Sequence, residues 1–154
     1  MSGNSPEIDL PQLPNARVAI ISSSWHLDIC NDLVAGAQRA LKGASISNVE
    51  VIYVPGSFEI PLAAQIAFEK GFKAVVAVGL VLEGETPHFD YVCQGVTQGV
   101  MDVSLKFSSP IGFGVLMCNT LDQAIARSGR PGSSEDKGYD SAVAAIKLLQ
   151  LKEG

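Results

Sequence analysis

The sequence predicts an α/β protein, a three-layer sandwich in which helices cover both faces of a four-stranded parallel sheet. Three observations predict it. The apolar run "RVAIIS" lacks the alternation of half-exposed strands, as expected where a strand is buried on both faces, and three further apolar runs follow it along the chain. Between them lie segments whose apolar residues recur every three or four positions, the helical period. The chain of 154 residues is about one domain in size, and short connections between alternating strands and helices specify parallel pairing.

The elements follow in order. Residues 1–16 hold Pro6, Pro11 and Pro14 among polar neighbours, which precludes a regular helix and reads as an extended arm, expected to lie on a neighbouring subunit. Residues 17–154 are expected to form the single domain. "RVAIIS", from Arg17, is the first strand. Cys30, Val34, Ala37 and Leu41 mark an amphipathic helix stopped by Gly43. "VEVIYVPG", from Val49, is the second strand and its turn. Ser57 is expected to cap a second helix that runs through Ile60, Ala64, Ala67 and Phe68 and closes at Gly71. "KAVVAVGLVLEG" is the most apolar strand, hence central. Thr86 as N-cap and Pro87 at the first helical position predict a third helix to about Phe107, in which Gly95 and Gly99 permit close helix approach along the channel of a ring. "PIGFGVLM" is the fourth strand, "TLDQAIARSG" a short helix and "EDKGYDSAVAAIKLLQLK" a closing one.

Composition narrows the function classes. Hydrophobic residues make up 47% and charged residues 18%, the balance of a compact globular chain. The formal charge is −5, from 11 Lys and Arg against 16 Asp and Glu, without a basic run, which argues against a nucleic-acid partner. The apolar run Ala74 to Leu82 ends at Glu83, far short of the roughly 18 residues that span a bilayer. No signal-peptide pattern opens the chain, so a cytoplasmic protein without a membrane partner is expected. Cys30, Cys93 and Cys118 are odd in number and set among apolar neighbours, as reduced thiols are. Neither Cys-x-x-Cys nor His-x-x-x-His occurs, so no metal site is expected. Walker and Gly-x-Gly-x-x-Gly loops are absent too.

Ligands of open parallel sheets bind beyond the carboxyl ends of the strands. Here those ends read "SSSWH", "PGSFE", "EGETPH" and "MCNT". At the third, a glycine and a helix start offer backbone N–H groups and a positive dipole end, so a phosphate fits at Gly84, Glu85 and Thr86. The same dipole favours a neutral His88 able to accept a proton. Taken singly, each residue keeps a plainer reading. His88 serves equally as a partly exposed helix-start residue, and Trp25 as a core side chain or a stacking platform. Phe58 and Glu59 fit a helix-start staple and carboxylate as well as a ring contact and an acceptor for hydroxyl groups. Arg127 reads as a solvated charge and Lys137, beside Asp136 and Glu135, as a surface ion-pair member.

The combination is more specific. "SSWH", "VPGSFEIP", "VGLVLEGETPHFDYV", "PIGFGVL", "QAIARSG" and "DKG", in this order and spacing, resemble the lumazine synthase family from about Arg17 almost to the C-terminus. The resemblance implies a flavodoxin-like fold and a condensation of 5-amino-6-ribitylamino-uracil with 3,4-dihydroxy-2-butanone 4-phosphate. The products are 6,7-dimethyl-8-ribityllumazine, phosphate and water, with neither cofactor nor metal. By the same resemblance Trp25 stacks on the pyrimidine, Ser57, Phe58 and Glu59 hold the ribityl chain and ring edge, and Val81 and Leu82 line the ring. Gly84, Glu85 and Thr86 bind phosphate together with Arg127, while His88 transfers protons. Phe113, Arg127 and Lys137 cross a subunit boundary, which makes a homopentamer with shared sites, functionally linked to riboflavin synthase.

Two departures carry expectations of their own. A carboxylate at Glu85 repels a phosphate, so its side chain should turn to solvent or toward a cation. The link "RPGSSED", residues 130–136, is longer than in relatives that build shells, which predicts a free pentamer. A binding module that kept the platform without catalysis would not need His88, Arg127 and Lys137 together, and a purely structural ring would not need Trp25, Glu59 and His88 at three strand ends.

Overall fold

A computed structural model describes residues 4–154. The first three residues of the expected arm lie outside the described residues. Four strands, β1 (Arg17–Ser23), β2 (Asn48–Val54), β3 (Ala74–Leu82) and β4 (Ile111–Cys118), pair in parallel in the order β2-β1-β3-β4. Registers such as Ile20 with Val51 and Val76, and Val78 with Gly114, bring all four carboxyl ends to one edge of the sheet. Helices α1 (Leu27–Gly43) and α5 (Lys137–Glu153) cover one face. Helices α2 (Ile60–Glu69) and α3 (His88–Phe107) cover the other, and the short α4 (Leu121–Arg127) follows β4. This is the three-layer, flavodoxin-like arrangement expected, with β3 in the interior of the sheet.

Burial on both faces explains the unbroken apolar runs of the two inner strands, β1 and β3, whereas the edge strand β2 is half exposed. Within β1, Val18 and Ile20 point into the layer shared with Leu33, Ile146 and Leu149, while Ala19 and Ile21 point into the layer shared with Ile60, Phe68 and Val96. Each of the larger of these side chains, the Val, Ile, Leu and Phe, stabilises the fold by about 1.5–3 kcal/mol through removal from water. No helix among the described residues is long and apolar enough to cross a membrane. Burial also pushes the thiols of Cys30, Cys93 and Cys118 above their ordinary range.

Residues 4–16 form neither helix nor strand. Leu10, Leu13 and Ala16 pack against the α1–α5 layer, and the Leu13 N–H donates to the Ala44 carbonyl at 2.9 Å.

Two local expectations are corrected. Ser57 does not cap α2: it opens a 3₁₀ turn, Ser57–Glu59, after the extended Gly56, and this tighter winding carries its hydroxyl inward instead of onto a helix N–H. Thr86 does not cap α3 either. Pro87 (φ −64°) holds the N-cap position without needing a hydrogen bond, and the helix begins one residue later, at His88. Gly95 and Gly99 do allow close approach within the chain, where added Cβ atoms would meet Phe58 and Pro61 at 2.5 and 2.7 Å.

Candidate active site

The carboxyl ends of β1, β2 and β3 enclose a cleft of about 730 Å³, within the ordinary range for small-molecule sites. Its first wall is built by the turn after β1. His26 adopts a left-handed conformation (φ 51°), costly for a residue with a Cβ. Its carbonyl accepts from the Ile29 and Cys30 N–H groups, at 3.0 and 3.1 Å, and so starts α1. The Ser24 hydroxyl donates to the Val54 carbonyl at 2.8 Å and ties the ends of β1 and β2 together. Trp25, held between these two anchors, is 68% exposed. A tryptophan left this open forms a flat apolar face at the cleft and not part of the core.

The second wall is the 3₁₀ turn. Gly56 lies between the two walls: a Cβ at this position would be in ordinary contact, 3.4 Å, with both the Glu59 Oε2 and the Trp25 Nε1. The carboxylate and the indole therefore flank one glycine. Phe58, 60% exposed, lies over Gly95 of α3. Ser57 is only 5% exposed, and its Oγ makes no hydrogen bond among the described residues. That hydroxyl and the Ser23 Oγ each lie 2.8 Å from where a Cβ of Gly79 would stand, so the glycine in β3 makes room for both.

The third wall comes from β3 and α3. Val81 and Leu82 end the strand, and His88 and Tyr91, three residues apart on one helix face, line the same cleft as Trp25. The structure thus brings Trp25, Ser57, Phe58, Glu59, Val81, Leu82 and His88 to one cleft. Sequence reasoning missed Glu83 and Tyr91, which also line it. For Tyr91 the signal was present, since i and i+3 share a face; for Glu83 it was the step just past the end of β3.

Gly84, Glu85 and Thr86 form the exposed turn between β3 and α3, outside the cleft lining. No side chain caps the start of α3, and Glu85 makes no ion pair among the described residues. The remaining three expected residues lie elsewhere. Phe113, on β4, lines a separate apolar groove with residues of α3 and α5. Arg127 and Lys137 lie where α4 ends and α5 begins, beside Glu135, whose carboxylate oxygens stand 3.6 Å from the Arg127 Nε and 3.0 Å from the Lys137 Nζ.

Electrostatically the cleft is one-sided. Its charged lining consists of Glu59 and Glu83, its titratable remainder of His26, His88 and Tyr91, and neither Lys nor Arg among the described residues lines it. A phosphate-bearing ligand would meet like charge here unless cations came from outside.

Known proteins resemble this chain throughout. A family described as 6,7-dimethyl-8-ribityllumazine synthase matches residues 15–153. Among its relatives, the 6,7-dimethyl-8-ribityllumazine synthase of Streptomyces coelicolor is 49% identical over 147 residues, covering 95% of this chain and 91% of its own. That of an Arthrobacter species is 50% identical over 152 residues, covering 95% and 94%. A Mycobacterium protein of the same name is 46% identical over 156 residues, covering 100% and 97%. With the parallel sheet, the strand-end cleft and a match over nearly its whole length, the chain belongs to the 6,7-dimethyl-8-ribityllumazine synthase family, the transferases of that step in riboflavin biosynthesis.

Proposed function

We propose that the strand-end cleft is one half of the site where 5-amino-6-ribitylamino-uracil and 3,4-dihydroxy-2-butanone 4-phosphate condense. The observation that carries this reading is an aromatic-walled cleft holding Glu59 and His88 but, among the described residues, neither Lys nor Arg. Trp25 and Phe58 offer open faces to a pyrimidine. Glu59 accepts from ribityl hydroxyls, and the unpartnered Ser57 Oγ is a further hydrogen-bonding position beneath them. Val81 and Leu82 pack the ring edge. His88 moves the protons that imine formation, phosphate elimination and ring closure each require.

The phosphate lies at Gly84, Glu85 and Thr86, before a helix start without a side-chain cap. Its counter-charge is supplied by Arg127 and Lys137 of an adjacent copy, with Phe113 closing the ring pocket. Guanidinium and phosphate pair as a fork, and the charge that develops on the leaving phosphate is stabilised there. Orientation of the two substrates accounts for much of the remaining acceleration.

The enzyme acts on small molecules as a homo-oligomer. We assign it a free pentamer with residues 1–16 as an arm reaching an adjacent subunit, residues 17–154 as the catalytic domain, a cytoplasmic location and a functional link to riboflavin synthase. Exposed Leu62 on α2 and Met101 and Leu105 on α3 support association, being apolar surface that a lone chain leaves wet.

The test mixes both substrates and follows lumazine absorbance. His88→Ala should lower kcat by up to about a hundredfold without abolishing turnover, because orientation survives. Arg127→Ala should mainly raise KM for the butanone phosphate. Wild-type turnover no faster than the spontaneous condensation would remove the proposal.

A further inference from the structure

We infer that Glu135 is a positioning residue for the phosphate-binding pair: its carboxylate stands between Arg127 and Lys137, holds both cations in place and moderates their pull on an anion. The inference rests on the reading above in which Arg127 and Lys137 meet the substrate phosphate.

The geometry is specific. Glu135 Oε1 is 3.0 Å from the Lys137 Nζ, and Oε2 is 3.6 Å from the Arg127 Nε. The Arg127 Nη1 donates to the Gln123 carbonyl at 2.9 Å. These contacts engage Nε and Nη1 and leave the Nη2 end of the guanidinium without a hydrogen bond among the described residues, available to an oxyanion. Lys137 is held from a second side by Asp140, 3.8 Å away.

Glu135 cannot drift from this place, because its backbone is fixed. Its N–H donates to the Ala126 carbonyl at 3.0 Å, and its carbonyl accepts from the Gly129 N–H at 3.1 Å. The link that carries it is braced against α1 at both ends. Arg130 pairs with Asp32 at 2.8 Å, and Asp136 pairs with Arg39 at 2.5 Å. A segment that the sequence marks only as long therefore delivers one carboxylate between two cations.

Two consequences oppose each other. Without Glu135 the two cations would repel and lose their fixed spacing, so the chemistry would slow. An arriving phosphate would also meet more uncompensated positive charge, so it would bind more tightly. A residue that merely braces the fold would give the first effect and not the second.

The experiment uses the full assembled enzyme at fixed ionic strength and measures inhibition by inorganic phosphate together with kcat and both KM values. Glu135→Gln, of nearly the same shape, should lower the phosphate inhibition constant by about two- to fivefold, the scale of a partly screened charge pair. It should also lower kcat and leave KM for the ribitylamino-pyrimidine unchanged. Glu135→Asp, which draws the charge back by one methylene, should lower the constant by less. A phosphate constant that is unchanged or raised in Glu135→Gln overturns the inference; should that variant not assemble, an unchanged constant in Glu135→Asp does the same. Arg127→Ala separates the two readings. If it leaves phosphate inhibition intact, the phosphate site itself is misassigned; if it weakens inhibition while the Glu135 variants do not tighten it, only the role of Glu135 fails.

Discussion

At the scale of single residues, the cleft contains a hydroxyl in an energetically poor state. The Ser57 Oγ is buried and makes no hydrogen bond among the described residues, a condition that costs about 1–3 kcal/mol. Such a cost is sustained where a ligand later satisfies the group. We therefore expect Ser57→Ala to raise the thermal midpoint of the free enzyme slightly while raising KM for the ribitylamino-pyrimidine. A lower midpoint with unchanged KM would show that the hydroxyl serves the fold alone. Trp25 and His26 show a related economy, in which a left-handed residue is tolerated because it turns the chain so that the indole stays out of the core. The sequence named Trp25 but could not choose between core and platform, because that depends on which way one backbone turn faces.

At the scale of elements, α4 shows how a short helix is made rigid enough to carry a charge. It spans seven residues, Leu121–Arg127, too few to be stable alone. A full capping box starts it: Thr120 accepts from the Gln123 N–H, and the Gln123 side chain accepts from the Thr120 N–H. At its far end Ser128 and Ser133 donate to the Ile125 carbonyl at 2.8 and 2.7 Å. Thr120→Ala should cost about 1 kcal/mol and, because Arg127 rides on the last turn, should raise KM for the butanone phosphate more than for the pyrimidine. Thermal unfolding at one protein concentration and steady-state kinetics check both parts. Equal effects on the two KM values would disconnect the cap from the phosphate site. The order of elements was legible from periodicity alone, whereas the caps at Ser57 and Thr86 were not. Serine and threonine accept helix N–H groups only where the entry angle allows it, and a 3₁₀ turn and a proline changed that angle.

At the scale of the whole molecule, burial of three thiols links stability to pH. Cys30, Cys93 and Cys118 are pushed above the ordinary thiol value of 9.0 by desolvation, with Arg127 pulling Cys118 partly back. Above about pH 9 the unfolded chain releases these protons while the folded chain keeps them, so the thiol contribution is fully present below that pH and is lost as pH rises through the folded values. The thermal midpoint should fall from about pH 8 to about pH 10, and less steeply in Cys30→Ala. Parallel slopes would assign the loss to other groups. Assembly is a second whole-molecule question. The long link at residues 130–136 is folded back and braced against α1, and light scattering at neutral pH should report the mass of five chains. A particle of shell mass would refute the free pentamer.

The layers and the parallel sheet were legible in the chain because apolar runs and helical periods are local patterns with a physical cause, and the family was legible through the resemblance of its motifs, "GETPHFDYV" among them. The residue types that stand at the strand ends were legible too. Which of them meet is set by the folded arrangement: Trp25, Ser57 to Glu59, Val81, Leu82 and His88 share a cleft, whereas Phe113, Arg127 and Lys137 lie apart from it. The same holds for Glu135, which reads in sequence as one acid in a polar link and lies in space between two cations. The reason is geometric. Periodicity fixes the direction of a side chain within its own element, but distance and charge balance between elements depend on how the strands register and how the loops turn, and no local pattern encodes that.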